Sequence, residues 1–159
     1  MVCPVSANAK NYTNLFESHE DPIQIESNEL EFIDQDNKAI FRGNVKIKQG
    51  SNQMSTGEMI VIYLPNSKER QADIERLEFS NGFILNSDRN IVSGESGKYW
   101  FNSKDLFLEG NVILSQGKNV AKGCKLIANL NKKIGKLDNC GSRVTVSLHP
   151  PPQKTKFNQ

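Results

Sequence analysis

Little in this chain suggests chemistry. Its 159 residues include two histidines, three cysteines and one tryptophan. His19 and His149 stand near opposite ends in polar, turn-like surroundings. No H-E-x-x-H, G-x-S-x-G, Walker or G-x-G-x-x-G pattern occurs, so the usual zinc-hydrolase, serine-hydrolase and nucleotide-binding designs have no foothold. Paired carboxylates such as Glu29/Glu31 and Asp34/Asp36 fall in strands or turns, where solvated charge is the ordinary explanation. The expectation is therefore no enzyme, no cofactor and no metal site. A charge of one sign is missing too: 20 Lys+Arg face 18 Asp+Glu, a net of +2, which gives no footprint for nucleic acid. Lys46, Lys48, Lys122, Lys125, Lys132 and Lys133 read as a scattered solvated face, or as points that meet phosphates on an anionic partner. No run of about 18 apolar residues exists to cross a membrane as a helix. Helical periodicity is nearly absent as well.

What is present is alternation. Apolar residues recur at every second position in Leu30-Glu31-Phe32, Val45-Lys46-Ile47-Lys48, Leu77-Glu78-Phe79, Leu106-Phe107-Leu108 and Val144-Thr145-Val146-Ser147-Leu148. Between them sit turn formers: Asp34 to Asn37, Gly43-Asn44, Gly50-Ser51-Asn52, Asn81-Gly82, Asn86 to Asn90, Gly110-Asn111, Gly117-Lys118-Asn119 and Asn131-Lys132. Turns spaced about 8–12 residues apart predict an all-β sandwich, barrel or solenoid. The charged stretch Lys68–Leu77 reads as a hairpin connection.

An internal repeat narrows this to a stack of antiparallel strands. Ala39 to Gly50 returns as Leu106 to Gly117, at a constant offset of 67 (110 − 43 and 117 − 50). The unit reads strand–turn–strand–Gly-Asn–strand–Gln-Gly–strand, with the Gly-Asn pair as a tight corner between strands. Stacked repeats bury the face each neighbour exposes. The predicted organisation is a flexible segment at 1–20, one β-domain at 21–148 and a disordered tail at 149–159. Ser6-Ala7-Asn8-Ala9-Lys10 carries the small-x-small pattern of a signal-peptidase site without the apolar stretch before it, so a leader remnant and a plain tail both stay open.

The apolar positions predict one interior, lined by Ile23, Ile25, Leu30, Phe32, Phe41, Val45, Ile47, Leu77, Phe79, Tyr99, Phe101, Leu108 and Val112, with Phe83, Leu85, Leu106 and Leu114 alongside. Periodicity does not separate a sealed core from an open groove for acyl chains. At 36% hydrophobic residues the chain is lean for a dense core, which leans toward a thin slot. Cys124 and Cys140 are symmetric about the Asn131–Lys133 turn: cross-strand partners centred on residue 132 sum to 264, as 124 and 140 do. Hairpin register thus favours a disulfide over two buried thiols, and with it an oxidising compartment.

The motifs D-P-I-Q-I-E-S-N-E-L at 21–30, A-I-F-R-G-N-V-K-I-K-Q-G at 39–50, G-E-M-I-V at 57–61, the second G-N-V at 110–112, K-G-C-K-L at 122–126 and R-V-T-V at 143–146 resemble the periplasmic lipopolysaccharide-transport protein A (OstA-like) family across residues 21–148. The resemblance implies an open, twisted β-jelly roll. It also implies a periplasmic carrier of lipopolysaccharide that holds acyl chains in an apolar groove. In that picture the carrier bridges an inner-membrane-anchored component and an outer-membrane barrel component, and copies join head to tail. Carried over by position, Ile23 and Ile25 fall on the groove's first strand and Phe101 near an inward aromatic position. Cys124, Cys140 and the connection from Leu64 to Ile74 depart from the family pattern. A structural β-solenoid with a sealed core is the alternative, and a small β-sandwich hydrolase a weaker one.

Overall fold

A computed structural model describes residues 22–65 and 74–150. The expected segment at 1–20, the tail beyond Pro150 and the residues numbered 66–73 lie outside the described residues. Among the described residues the chain forms eleven strands and a single turn of 3-10 helix at Asp34–Asp36, with no α-helix. The strands are β1 (Gln24–Glu26), β2 (Glu29–Ile33), β3 (Lys38–Gln49), β4 (Asn52–Tyr63), β5 (Ile74–Ser87), β6 (Asn90–Gly94), β7 (Ser96–Trp100), β8 (Asp105–Gln116), β9 (Asn119–Asn129), β10 (Ile134–Asp138) and β11 (Thr145–Ser147). They belong to one antiparallel sheet. Three of its rows are broken in the middle: β1 and β2 share β3, β6 and β7 share β5 and β8, and β10 and β11 share β9. The sheet is therefore eight rows laid down in chain order, the all-β, jelly-roll-like stack that the alternation predicts.

The breaks line up. The first row breaks at Ser27–Asn28 and the fifth at Glu95, while the ladders shift register at Gly43–Asn44, at Gly57 and at Gly110–Asn111. Together these irregularities form a crease across the rows. An inserted pair of residues at positive φ bends and twists a strand without ending it, because the ladder resumes on the far side. Here the sequence expectation needs correction: Gly43-Asn44 and Gly110-Asn111 are corners inside continuous strands of 12 residues, not turns between strands. Asn81-Gly82 likewise sits inside β5. A second correction concerns Lys68–Leu77. Ile74 to Leu77 already belong to β5, since Arg76 and Glu78 point outward in alternation with Leu77 and Phe79.

The repeat is a repeat of structure. β3 and β8 are offset by 67 (105 − 38, 116 − 49), and so are the starts of β4 and β9 (119 − 52). Gly43 and Gly110 have φ of 79° and 84°, and Asn44 and Asn111 both have 47°. Glycine is needed at both corners. A Cβ on Gly43 would lie 2.6 Å from the Asn28 side-chain nitrogen, and one on Gly110 2.4 Å from the Glu95 carboxylate. Asn28 and Glu95 are themselves 67 apart (95 − 28) and fill the gap of each broken row. Backbone bonds pin these gaps: the Asn28 N–H donates to the Gly43 carbonyl at 2.9 Å, and the Glu95 N–H to those of Glu109 and Gly110. Folding along the crease brings the inner faces of both halves into one apolar cluster.

Candidate functional site

Residues directly opposite in an antiparallel sheet share a face, so the register reads as rungs across the rows. One rung runs Leu30, Phe41, Met59, Phe79, Gly97, Leu108, Leu126, Leu137. The next runs Phe32, Ala39, Val61, Leu77, Tyr99, Leu106, Ala128, Gly135. Across the crease a third runs Ile25, Ile47, Met54, Leu85, Val92, Leu114, Ala121, Val146. These rungs are apolar from the first row to the last.

The structure splits the sequence-predicted lining residues by row. Val45, Ile47, Leu77, Phe79, Tyr99, Leu108 and Val112 belong to the middle rows and are buried, Leu108 and Val112 completely. Phe41 and Phe101 are half-buried against the same cluster, Phe101 edge-on to Tyr99 with ring centroids 5.1 Å apart. Ile23, Ile25, Leu30 and Phe32 lie at the first row, where the rungs open to solvent: Ile25 is 40% exposed and Phe32 61%. The last row repeats this opening with Val144, Val146 and Leu148, Val146 being 51% exposed. Among the described residues β1 and β2 pair only with β3, and β10 and β11 only with β9. Among the described residues, both terminal rows thus present a backbone edge without a partner strand beside exposed apolar side chains.

Sequence reasoning missed the inward side chains of β4, notably Met54, Met59 and Val61. The stretch Asn52-Gln53-Met54-Ser55-Thr56 does alternate, but only one of its inward residues is apolar, so its period is faint. Thr56 has a different task. Its hydroxyl sits at the crease 2.7 Å from the Gly82 carbonyl, to which it donates, with those of Ser80 and Glu58 at 3.0 and 3.1 Å.

A disulfide joins Cys124 to Cys140, with Cα atoms 5.9 Å apart. The register beside it differs from the expected one. Ile134 pairs with Asn129 and Leu137 with Leu126, so partners sum to 263, and Cys124 stands opposite Asn139 by continuation. Cys140 reaches it because β10 ends at Asp138 and the chain loops out over residues 139–144 before β11, with Cys140 at φ of 47°. The equivalent of Cys124 in the first repeat is Gly57 (124 − 67), which packs directly on Asn81 of β5.

The outer face carries the charge. Arg42 forms ion pairs with Glu31, Glu29 and Glu58, joining β2, β3 and β4. The bond to Glu31 is the main cause raising its guanidinium above the ordinary value. Arg76 and Lys98 share Glu78 at 3.3 Å. Exposed pairs of this kind add little stability. Shallow clefts of about 260 and 280 Å³ flank the crease on this outer side. Among the described residues no three His, Cys, Asp or Glu side chains gather in a metal-binding cluster.

Comparison with known proteins gives this architecture a family. The model of the family described as LptA/(LptD N-terminal domain) LPS transport protein matches residues 24–134. An uncharacterized protein of Rhizobium meliloti (strain 1021) is 42% identical over 142 residues, covering 87% of this chain and 76% of its own. Another, from Rickettsia prowazekii (strain Madrid E), is 29% identical over 123 residues, covering 77% and 79%. Among solved structures, LptH of Pseudomonas aeruginosa, the LptA-homologous periplasmic component of the lipopolysaccharide transport device, superposes with a TM-score of 0.65 at 18% identity, over 82% of this chain and 97% of that one. That likeness speaks for the fold; with the match over 24–134, the chain belongs to the LptA/LptD N-terminal-domain family, a family of transport proteins and not of enzymes.

Proposed function

We propose that this protein is a periplasmic carrier of lipopolysaccharide. Its inward apolar rungs hold acyl chains, and copies join head to tail to bridge an inner-membrane-anchored component and an outer-membrane barrel component. One observation carries the reading: apolar rungs that run through every row, with exposed apolar side chains at both terminal rows, Ile25, Leu30 and Phe32 at the first and Val146 at the last. Contiguous exposed apolar strips on a folded chain mark interaction sites. Shielding acyl chains has an obvious driving force of about 0.8 kcal/mol per buried CH₂. A slot with no matched pocket suits a carrier, which must release what it holds. The LptH structure is named a periplasmic component of such a device, in line with this role.

The alternative, a scaffold with a sealed core, draws on the completely buried Leu108 and Val112. A photo-crosslinking scan at Ile25, Phe41, Phe79 and Phe101 in the presence of lipopolysaccharide separates the two. Lipid adducts at Phe79 as well as at Ile25 are expected of a carrier. Adducts at neither position would establish the scaffold.

A further inference from the structure

The interior is not apolar to its end. Beyond the Ile47–Leu114 rung, the last inward rung before the hairpin turns runs Gln49, Asn52, Ser87, Asn90, Gln116, Asn119. All six are amides or hydroxyls, and none is charged. The pattern recurs three times, because each of three two-residue turns is flanked by one such pair: Gly50-Ser51, Asp88-Arg89 and Gly117-Lys118. Turn chemistry explains what lies inside the turns, where Gly50, Asp88 and Gly117 take positive φ. It does not explain inward amides on either side. Gln49, Asn52, Ser87 and Asn90 are all buried, although the same sites on neighbouring rungs hold Ile, Met, Leu and Val.

One partnership inside the rung is clear: the Ser87 hydroxyl donates to Asn52 Oδ1 at 2.6 Å. Asn90, next along, is 3% exposed, and its Oδ1 is buried with no hydrogen-bond partner among the described residues. A buried acceptor left unpaired is costly and marks a place where a donor belongs. The missing partner is thus an O–H or N–H group. A phosphate oxygen, itself an acceptor, does not qualify.

We propose that this amide rung is a saccharide rail. As acyl chains lie against the apolar rungs, sugar hydroxyls of the same molecule donate to Asn90 Oδ1 and exchange hydrogen bonds with the neighbouring amides. The proposal rests on the carrier reading above and adds which part of the amphiphile this lip of the interior recognises. Uncharged amides suit the task. They donate and accept, they bind each hydroxyl weakly, and a row of them lets a sugar step from one to the next.

The test is equilibrium binding of two detergent-dispersed, radiolabelled lipids to the full chain: a rough lipopolysaccharide, and dimyristoyl phosphatidic acid, which has chains and a phosphate but no hydroxyl-bearing sugar. Asn90→Leu removes the orphan acceptor and is expected to leave the melting temperature of the lipid-free protein unchanged or raised. It should weaken lipopolysaccharide binding about tenfold while leaving phosphatidic acid binding unchanged. Gln116→Leu, at a half-buried position, should act in the same sense by a few-fold. If both variants melt well below the wild type or fail to fold, the rung is a structural tie and the proposal falls. Should wild type bind both lipids and the variants leave their ratio unchanged, the rail is wrong while the carrier stands. Wild-type protein that binds neither lipid overturns both.

Discussion

The two terminal rows of the sheet are built alike and secured differently. Each is a broken strand pair laid on a long bent strand, and each exposes inward apolar side chains: Ile25, Leu30 and Phe32 at the first row, Val144, Val146 and Leu148 at the last. Among the described residues the first row is held by noncovalent ties: its ladders to β3, the Asn28–Gly43 backbone bond and the Arg42 ion pairs. The last row is fastened by Cys124–Cys140. In the first repeat the corresponding strand, β5, needs no such staple, because β6 and β7 cover its far side. A row with one neighbour loses half its ladder bonds, and a covalent tie at the crease offsets that loss where the chain ends its sheet. The comparison suggests a division of labour, in which one edge is adjustable and the other fixed.

The largest effect should come from setting edge against middle with the same substitution. Phe79→Asp places an unpaired charge in the buried cluster and should unfold the domain, at a cost above about 4 kcal/mol. Ile25→Asp and Phe32→Asp, on the other two inward rungs and at the open first row, should fold with a loss within about 1 kcal/mol. They should also abolish head-to-tail association. Urea melts and light scattering over a wide concentration range read both. Unfolding of Ile25→Asp would show that the first row is core rather than edge.

Removing the staple comes next. Cys124→Ser with Cys140→Ser should cost about 3 kcal/mol, as expected for a loop of this length. That corresponds to a fall in Tm of roughly 6–12 °C for a domain of this size. Amide hydrogen exchange should rise in β10 and β11 and stay unchanged in β1 and β2. Non-reducing mass spectrometry of the wild type should show one crosslinked peptide pair. Two alkylatable thiols would remove the basis for calling this edge fixed.

Much of this was legible in the sequence, and the exceptions have physical reasons. The 67-residue offset, the period-2 apolar residues and the Gly-Asn pairs give the stack and its inward face, because alternation is dictated by the pleat. Strand ends are less legible. Gly43-Asn44 looks like a turn because its backbone needs are those of a turn, and only partner strands on both sides show that the ladder continues. The cysteine pairing follows from hairpin symmetry, yet the ladder partners sum to 263 and not 264. The loop over residues 139–144, invisible in the local pattern, supplies the missing residue. Burial along a rung is equally hidden: Phe32 and Leu77 look equivalent in sequence, and only the number of neighbouring rows separates them. The amide rung escaped notice because polar residues beside turns are ordinarily assigned to the turns.

A smaller effect concerns the backbone of the last row. Thr145 and Ser147 belong to one class of ladder pair and Val146 to the other, since hydrogen-bonded and non-bonded pairs alternate in antiparallel ladders. One class donates to β9, and the other points to the free side. Proline at 145 or 147 and proline at 146 should therefore act oppositely. One should lower stability by about 1 kcal/mol, from the lost ladder bond. The other should shorten oligomers with little change in stability. If neither shortens them, strand addition at β11 is not the joint.

The smallest expected effect lies at the hairpin that launches the last row, and it depends on pH. Asn129 organises this turn: its Nδ2 donates to Asp105 Oδ1 at 2.7 Å and to the Ser103 carbonyl at 3.0 Å, while its Oδ1 accepts the Lys132 N–H at 2.8 Å. The Ser103 side chain, then Asn129, holds the Asp105 carboxyl below the ordinary carboxylate range. A group with a depressed folded-state pKa contributes stability that is full above its unfolded value and disappears as pH falls through its folded value. Near neutrality Asp105 should thus be ionised and the hairpin closed, with no change between pH 6 and 8 on the order expected of a carboxylate. Below the ordinary carboxylate range the tie weakens, and exchange of the β10 amides should rise before that of β1. In the first repeat the same pair of positions holds Lys38 opposite Ile62 (105 − 67 and 129 − 67), a pair with no carboxylate to titrate. Following the Asp105 side-chain carbon by NMR through an acid titration tests the cause. Asn129→Ala should move its midpoint up toward the ordinary range, and a wild-type midpoint already there would mean that the amide holds the turn without favouring the charge.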